Sequence, residues 1–233
     1  MMNKSKVPIS FHTVFFLLLF IVFVPFIPFL IARQWNWWEG WMYALLSILT
    51  FIISRILASK QHPDIIAERA HFLQHENAKA WDRRISIFLG IGGIAAMILV
   101  GLDKLFDWSP SFTPPLKAIA LILIIAGYIL SSYALVVNRF FSDTVRLQTD
   151  RGQKVISNGP YRWIRHPGYA GTILAYLATP VFLDSYWVIL PTITISILMI
   201  WRTAMEDQFL QNELEGYRAY AARVRYRLLP GIW

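Results

Sequence analysis

Two stretches of this 233-residue chain concentrate the side chains that can do chemistry. In the first, Phe141–Gly171 (FSDTVRLQTDRGQKVISNGPYRWIRHPGYAG), the turn signal Asn158-Gly159-Pro160 leads to Arg165-His166-Pro167, directly ahead of an apolar run. Proline disfavours helical geometry in the residue before it and suits the first helical position itself. His166 is therefore expected at the N-cap of the next helix. The open N–H groups and positive dipole end there, with Arg165 alongside, could hold a carboxylate or phosphate. A histidine that only caps the helix, with arginines on lipid headgroups, is the plainer alternative. In the second stretch, Trp201–Trp233, Arg202 and Glu206 are four residues apart and share one helix face. They are either an ordinary ion pair, in the weaker order with arginine first, or working groups at the membrane edge of a bundle.

The elements that must position these groups are hydrophobic. Apolar residues make up 56% of the chain and charged residues 15%, with a mean hydropathy of +0.47. A soluble domain carries about a quarter charged residues, so the natural solvent is a bilayer. Six apolar runs stand out: Phe11–Ala32, Gly40–Leu57, Ile85–Leu102, Leu116–Val137, Tyr169–Leu183 and Tyr186–Trp201. The first four reach the ~17 residues that a spanning helix needs. The last two are shorter and suggest a short hairpin. The expectation is an all-α polytopic membrane bundle of about six hydrophobic helices. The first run, with Pro25 and Pro28 and no clear cleavage site, reads as an uncleaved anchor.

All but three of the 22 lysines and arginines (Arg33, Lys104 and Lys117) fall in the odd-numbered segments outside the runs or, for Arg55, at the run end that adjoins one. The positive-inside rule places those segments, both termini and the chemical residues in the cytoplasm. Topology and anionic headgroups then account for the net charge of +8 without nucleic acid. The opposite face shows an aromatic belt at Trp35, Trp37, Trp38, Trp41, Trp108, Tyr186 and Trp187. Pro63–Trp81 reads as an interfacial amphipathic helix with Ile65, Ile66, Phe72 and Leu73 on its apolar face. His71 and His75 on it lack the glutamate of HExxH and a third ligand, so no metal site is expected. Gly90, Gly92 and Gly93 follow no strand and are assigned to close helix packing. With no cysteine, thiolate chemistry and disulfides are excluded.

Taken together, Gly159-Pro160-Tyr161, Arg165-His166-Pro167-Gly168-Tyr169-Ala170-Gly171, Glu206-Asp207, Leu210, Gly216-Tyr217, Tyr220, Arg223-Val224 and Pro230 closely resemble the isoprenylcysteine carboxyl methyltransferase and phospholipid methyltransferase superfamily. The resemblance covers roughly 141–230. It implies S-adenosylmethionine as cofactor, in a cytosol-facing C-terminal pocket. By position, Gln153, Lys154, Val155 and Ile156 would contact the cofactor, and Tyr161, His166, Pro167, Gly168 and Tyr169 would complete its wall. Arg202 and Glu206 fall where the family has its substrate-contacting arginine and glutamate. Arg146 departs from a glutamine found in relatives, and Asp207 stands for a second glutamate. A single membrane domain, 1–233, is implied, with 1–140 as N-terminal membrane helices and 141–233 as the cofactor- and substrate-binding core.

A carboxylate acceptor needs no base and would be oriented by Arg202; an amine acceptor needs one, and Glu206 is the nearest. The acceptor would be lipophilic or lipid-linked: an isoprenylated cysteine carboxylate, a phosphatidylethanolamine amine, or another thiol or acid. An NADPH-dependent sterol-type reductase shares an RHPxYxG-like segment, but would carry a Lys-Tyr-Gly run where Leu214-Glu215-Gly216-Tyr217 stands. A transporter would be expected to place an ionisable residue near the midplane, and the apolar runs hold almost none.

Overall fold

The computed structural model describes residues 21–70 and 78–233, and all regular structure within them is helical. The front of the first apolar run, with Lys4 and Lys6 before it, and residues 71–77, which include His71, Phe72, Leu73 and His75, lie outside the described residues. The runs become α1 (Ile21–Ala32), α2 (Trp38–Gln61), α4 (Ala80–Phe106), α5 (Pro114–Val137), α6 (Pro167–Phe182) and α7 (Ile189–Glu213). Two short helices, α3 (Ile65–Ala70) and α8 (Tyr217–Arg223), complete the order. In α1, Pro25 and Pro28 remove N–H donors, and the chain tightens to a 3-10 turn at Val24–Phe26. Pro114 and Pro167 each open a helix at its first turn, where the missing donor has no cost.

Helices α2, α4, α5 and α7 are long and apolar enough to cross a membrane. Their outward residues, among them Phe88, Ile91, Ile122, Ile129 and Ile197, are exposed. That surface suits lipid, and the helices satisfy their own backbone donors there. The closing pair is unequal. Helix α6 has 16 residues and spans about 24 Å, less than the ~30 Å hydrocarbon core. Helix α7 runs to 25 residues because it continues well past the apolar run that ends at Trp201, carrying its polar side chains into a buried end of the bundle.

Three local expectations are corrected. The segment 63–81 is not one helix: α3 is described over Ile65–Ala70, Ala78 lies in a bend, and Lys79 is an extended N-cap before α4. Within α3, Ile65 is fully buried, in keeping with its place on the apolar face, and Glu68 turns inward to Arg146. Trp37 leaves the aromatic belt. It is 3% exposed and packs on Phe29 and over Gly40, where a Cβ would strike its ring. Gly92 and Gly93 do face Ile195 and Tyr176 closely, but Gly90 faces open space.

Polar networks tie the two ends of the bundle. At the end holding the start of α2, Lys117 bridges Glu39 and Asp184, and Asp103 accepts hydrogen bonds from Ser109 and Ser185. At the other end lie the Arg165 and Arg202 segments. Between them, α5 and α6 make the closest helix contact, at Gly127 and Gly171. A Cβ on either glycine would run into the other's carbonyl oxygen. This approach places Gly168 and Tyr169 against the end of α5, so the glycine pair sets the position of the site. Gly171→Val should therefore lower the melting temperature in detergent by the equivalent of about 2 kcal/mol or more, whereas Gly90→Val should melt within a degree or two of wild type (roughly 0.5 kcal/mol). Equal melting of the two variants would refute the crossing.

Candidate active site

The segment between α5 and α6 is held by one carboxylate. Asp207, wholly buried on α7, accepts Nε and Nη2 of Arg165 at 2.6 and 2.8 Å and Nε of Arg227 at 2.9 Å. Gln211, the Tyr217 hydroxyl (3.0 Å) and His166 Nε2 (3.2 Å) complete its shell. Arg165 spends its remaining donor on the carbonyls of Val224 and Arg225, and the N–H groups of Arg165 and His166 bond to the carbonyls of Tyr226 and Arg227. Burial opposes the Arg165 charge, but Asp207 more than restores it, and its pKa is raised. His166 does sit at the N-cap of α6, as its spacing predicts, yet its side chain makes no cap bond and turns to Asp207 instead. Arg165 is not an open cation for a ligand.

Above this knot lies a cleft of ≈ 800 Å³, counted with its open mouth. Gln153, Lys154, Val155, Ile156, Tyr161, His166, Gly168, Tyr169 and Glu206 all line it; Pro167 is buried but does not. Six aromatic residues are among its lining: Phe140, Phe141, Tyr161, Tyr169, Tyr217 and Tyr220. Burial raises the pKa of Tyr161, Tyr217 and Tyr220, so their hydroxyls stay protonated. Tyr169 donates to Glu206 at 2.6 Å and lies parallel to the His166 ring. Two polar groups face the cleft with capacity to spare. The Thr144 hydroxyl is buried without a partner, and at the start of α6, where Pro167 has no N–H and that of His166 is taken by Arg227, the N–H groups of Gly168 and Tyr169 precede any intrahelical acceptor. Arg146 is fully engaged, bidentate on Glu68 and bonded to Asp150, whose carboxyl it holds below its ordinary range.

A second cavity, ≈ 1100 Å³ with its mouth, penetrates the helical layer between α2, α5, α6 and α7. Phe141, Ser142, Gly168 and Tyr169 line both spaces and form the partition between them. Arg202 belongs to this membrane cavity and does not line the cleft. It is not paired with Glu206 at hydrogen-bond distance. Its Nε meets Asp82 Oδ1 of α4 at 2.7 Å, and its Nη2 donates to the Asp143 carbonyl at 2.7 Å. Asp82 Oδ2 also takes the Val145 N–H at 2.7 Å. The pair thus straps residues 143–145, one wall of the cleft, against α4 and α7.

Sequence reasoning did not assign Asp82, Asp143, Thr144 or Gln148. Asp82 carries no local signal beyond an acid in the first turn of a helix, and its partner is 120 residues away. Asp207 was legible as an acid beside Glu206, but not as the hub. Asp207→Asn should cost about 3 kcal/mol or more, because it leaves Arg165 and Arg227 without a counter-charge. Glu206→Gln, whose neighbour is one phenol, should melt near wild type. Thermal melts in detergent compare the two, and equal melting would remove Asp207 from its structural place.

Residues 116–215 match the family model described as phospholipid methyltransferase. Proteins named probable protein-S-isoprenylcysteine O-methyltransferase, from Oryza sativa subsp. indica and subsp. japonica, are each 29% identical over 114 residues, 46% of this chain and 57% of theirs. The uncharacterized protein YpbQ of Bacillus subtilis (strain 168) is 36% identical over 62 residues, 26% of this chain and 37% of its own. The chain therefore spans somewhat over half the length of its plant relatives. The matched region contains nearly all of α5, all of α6 and α7 and nearly all of the cleft lining, and over that stretch the chain is similar to phospholipid methyltransferases and to proteins named for isoprenylcysteine O-methylation.

Proposed function

We propose that this chain is an S-adenosylmethionine-dependent methyltransferase that methylates a lipophilic acceptor, with O-methylation of a carboxylate as the reaction. The observation that carries the reading is the shared partition. A polar, aromatic-lined cleft open to solvent and a cavity within the helical layer meet at Phe141, Ser142, Gly168 and Tyr169. A water-soluble donor and a lipid acceptor need such a meeting point, and fixing the two groups in line supplies most of the rate.

The cleft suits the cofactor's chemistry. Aromatic faces stabilise a soft cation, Glu206 offers a carboxylate to a cationic group, and the α6 N-terminus with the Thr144 hydroxyl offers donors to an anionic one. When bound, the cofactor supplies an electrophilic methyl group. The protein's part is placement: Gln153 to Ile156 and Tyr161 form the outer walls, while His166, Gly168 and Tyr169 form the floor. Pro167 fixes the floor's entry into α6. Arg202, held by Asp82, positions the 143–145 strap and the cavity side of the partition. Residues 141–233 form the core of the single domain, but α2 contributes cavity walls from the N-terminal part. By the distribution of basic residues we place the cleft and both termini on the cytoplasmic side.

The two plant relatives are named for O-methylation, which favours a carboxylate acceptor. Phospholipid N-methylation is the second reading, favoured by the family's description and by Glu206, which stands where an amine's proton would need a base. Glu206→Gln separates them. O-methylation should survive it within about tenfold, whereas N-methylation should fall by about 100-fold or more.

Calorimetric titration of the detergent-purified protein should show S-adenosylmethionine binding and no NADPH binding, and labelled methyl groups should enter a long-chain acid or phosphatidylethanolamine. NADPH binding alone would replace the proposal with a reductase. Arg202→Gln and Asp82→Asn should each reduce methyl transfer by about tenfold or more, and the double variant should be no worse than either single one. Additive losses would show that the two side chains act separately.

A further inference from the structure

We infer that Arg55 and Arg69 form an oxyanion-binding subsite in the membrane cavity, and that the amphiphile entering it carries a carboxylate or phosphate that docks there. The inference deepens the proposal above, since it rests on that cavity being the acceptor's site.

Arg55 lies on α2 within its apolar run, and Arg69 on α3; both line the cavity. Arg55 does not reach out along the lipid face as a helix-end arginine can. Its guanidinium lies 3.7 Å from the centroid of the Phe51 ring and donates to Ser54, and among the described residues no carboxylate is within ion-pair distance of it. Arg69 has a side chain only 15% exposed; it pairs with Asp143 through Nη2 and lies over the Phe141 ring of the partition. Its Nη1 is buried with no hydrogen-bond partner. Among the described residues, Asp143 is the acid that both pairs with Arg69 and acts on Arg55.

Among the described residues the charge count at this pair is therefore two cations to one anion, in a space otherwise walled by groups such as Tyr43, Tyr128, Leu135 and Met199. Arg202, the third cation of the cavity, is already neutralised by Asp82. A buried N–H without an acceptor, beside an unbalanced charge, is costly in a low-dielectric site. An oxyanion supplies both the acceptor and the missing charge, and guanidinium groups bind such oxygens in their strong, charge-assisted geometry. A neutral headgroup can supply an acceptor but not the charge, and a cationic one adds to the imbalance. Arg69 touches the partition through Phe141, so an anion held there lies beside the junction of the two spaces.

The test measures binding of dodecanoate, dodecyl phosphate and dodecanol to the full-length protein in detergent, with no cofactor present. At least one anion should bind about tenfold or more tightly than the alcohol. Arg69→Gln and Arg55→Gln should each reduce that preference to about threefold or less, with dodecanol binding retained as the measure of an intact cavity. Arg69→Lys should keep part of it. Preference for dodecyl phosphate would identify a phosphate-bearing lipid, and preference for dodecanoate a carboxylic acid; either supports the subsite. Equal binding of the alcohol and both anions would overturn it, as would a preference that survives both glutamine variants. If Arg69→Gln does not fold, Arg55→Gln and Arg69→Lys decide the matter. Because no cofactor is present, failure to bind S-adenosylmethionine would remove the methyl-transfer proposal and leave this result standing.

Discussion

The carboxylate of Asp207 is the constraint on which the rest of the site depends. It joins three parts of the chain: the loop ahead of α6, the buried end of α7 and the tail after α8. A buried acid with two arginines is not a cheap way to stabilise a fold, since desolvation can cancel the attraction. What it provides is position. The fork of Arg165 matches the two carboxylate oxygens, and its remaining donor and two backbone N–H groups reach the tail. His166, Gly168 and Tyr169 then enter the cleft floor from a fixed point. The Gly127–Gly171 approach does the same within the membrane layer by bringing α5 against α6.

Local chemistry in the sequence announces some of this, and long-range pairing hides the rest. Proline after His166 restricts two residues, so the N-cap was readable from three letters. The apolar runs mark helices, because backbone groups in lipid must bond within their own segment. The end of α7 was less legible, since hydropathy falls at Trp201 while the helix continues; there Arg202, Thr203 and Asp207 are buried and bond to other groups of the protein, while Gln208, Asn212 and Glu213 are exposed. Nothing in the spacing of Asp82, Asp143 or Arg69 indicates a partner. Each is an ordinary surface-type residue until folding puts it opposite another charge. Arg165 shows the converse error: as a letter beside a helix N-terminus it reads as an anion receptor, but in three dimensions its charge is already answered.

Helix α7 shows how one element serves two compartments. Arg202 and Glu206 are one turn apart, a spacing that suits an ion pair. Instead Arg202 leans to Asp82 of α4 and lines the membrane cavity, while Glu206 meets the Tyr169 hydroxyl and lines the cleft. The pairing is prevented by better partners: Asp82 offers both oxygens to Arg202, and the Asp143 carbonyl takes a further donor. Tyr169 stands between the two, its ring near the Arg202 guanidinium and its hydroxyl on Glu206. A charge on either side of the partition is thereby kept from collapsing onto the other.

Asp143 extends this logic. Its carbonyl oxygen fixes Arg202 and its carboxylate fixes Arg69, so one residue couples the cleft-wall strap to the floor of the membrane cavity. If an anion docks on Arg69 and Arg55, it competes with or adds to that carboxylate, and any shift is felt directly by residues 143–145. Acceptor binding and cleft geometry are then linked through covalent neighbours rather than through a distant relay. Such coupling needs no large movement, only that a strap held by two arginines has one of them occupied from the lipid side.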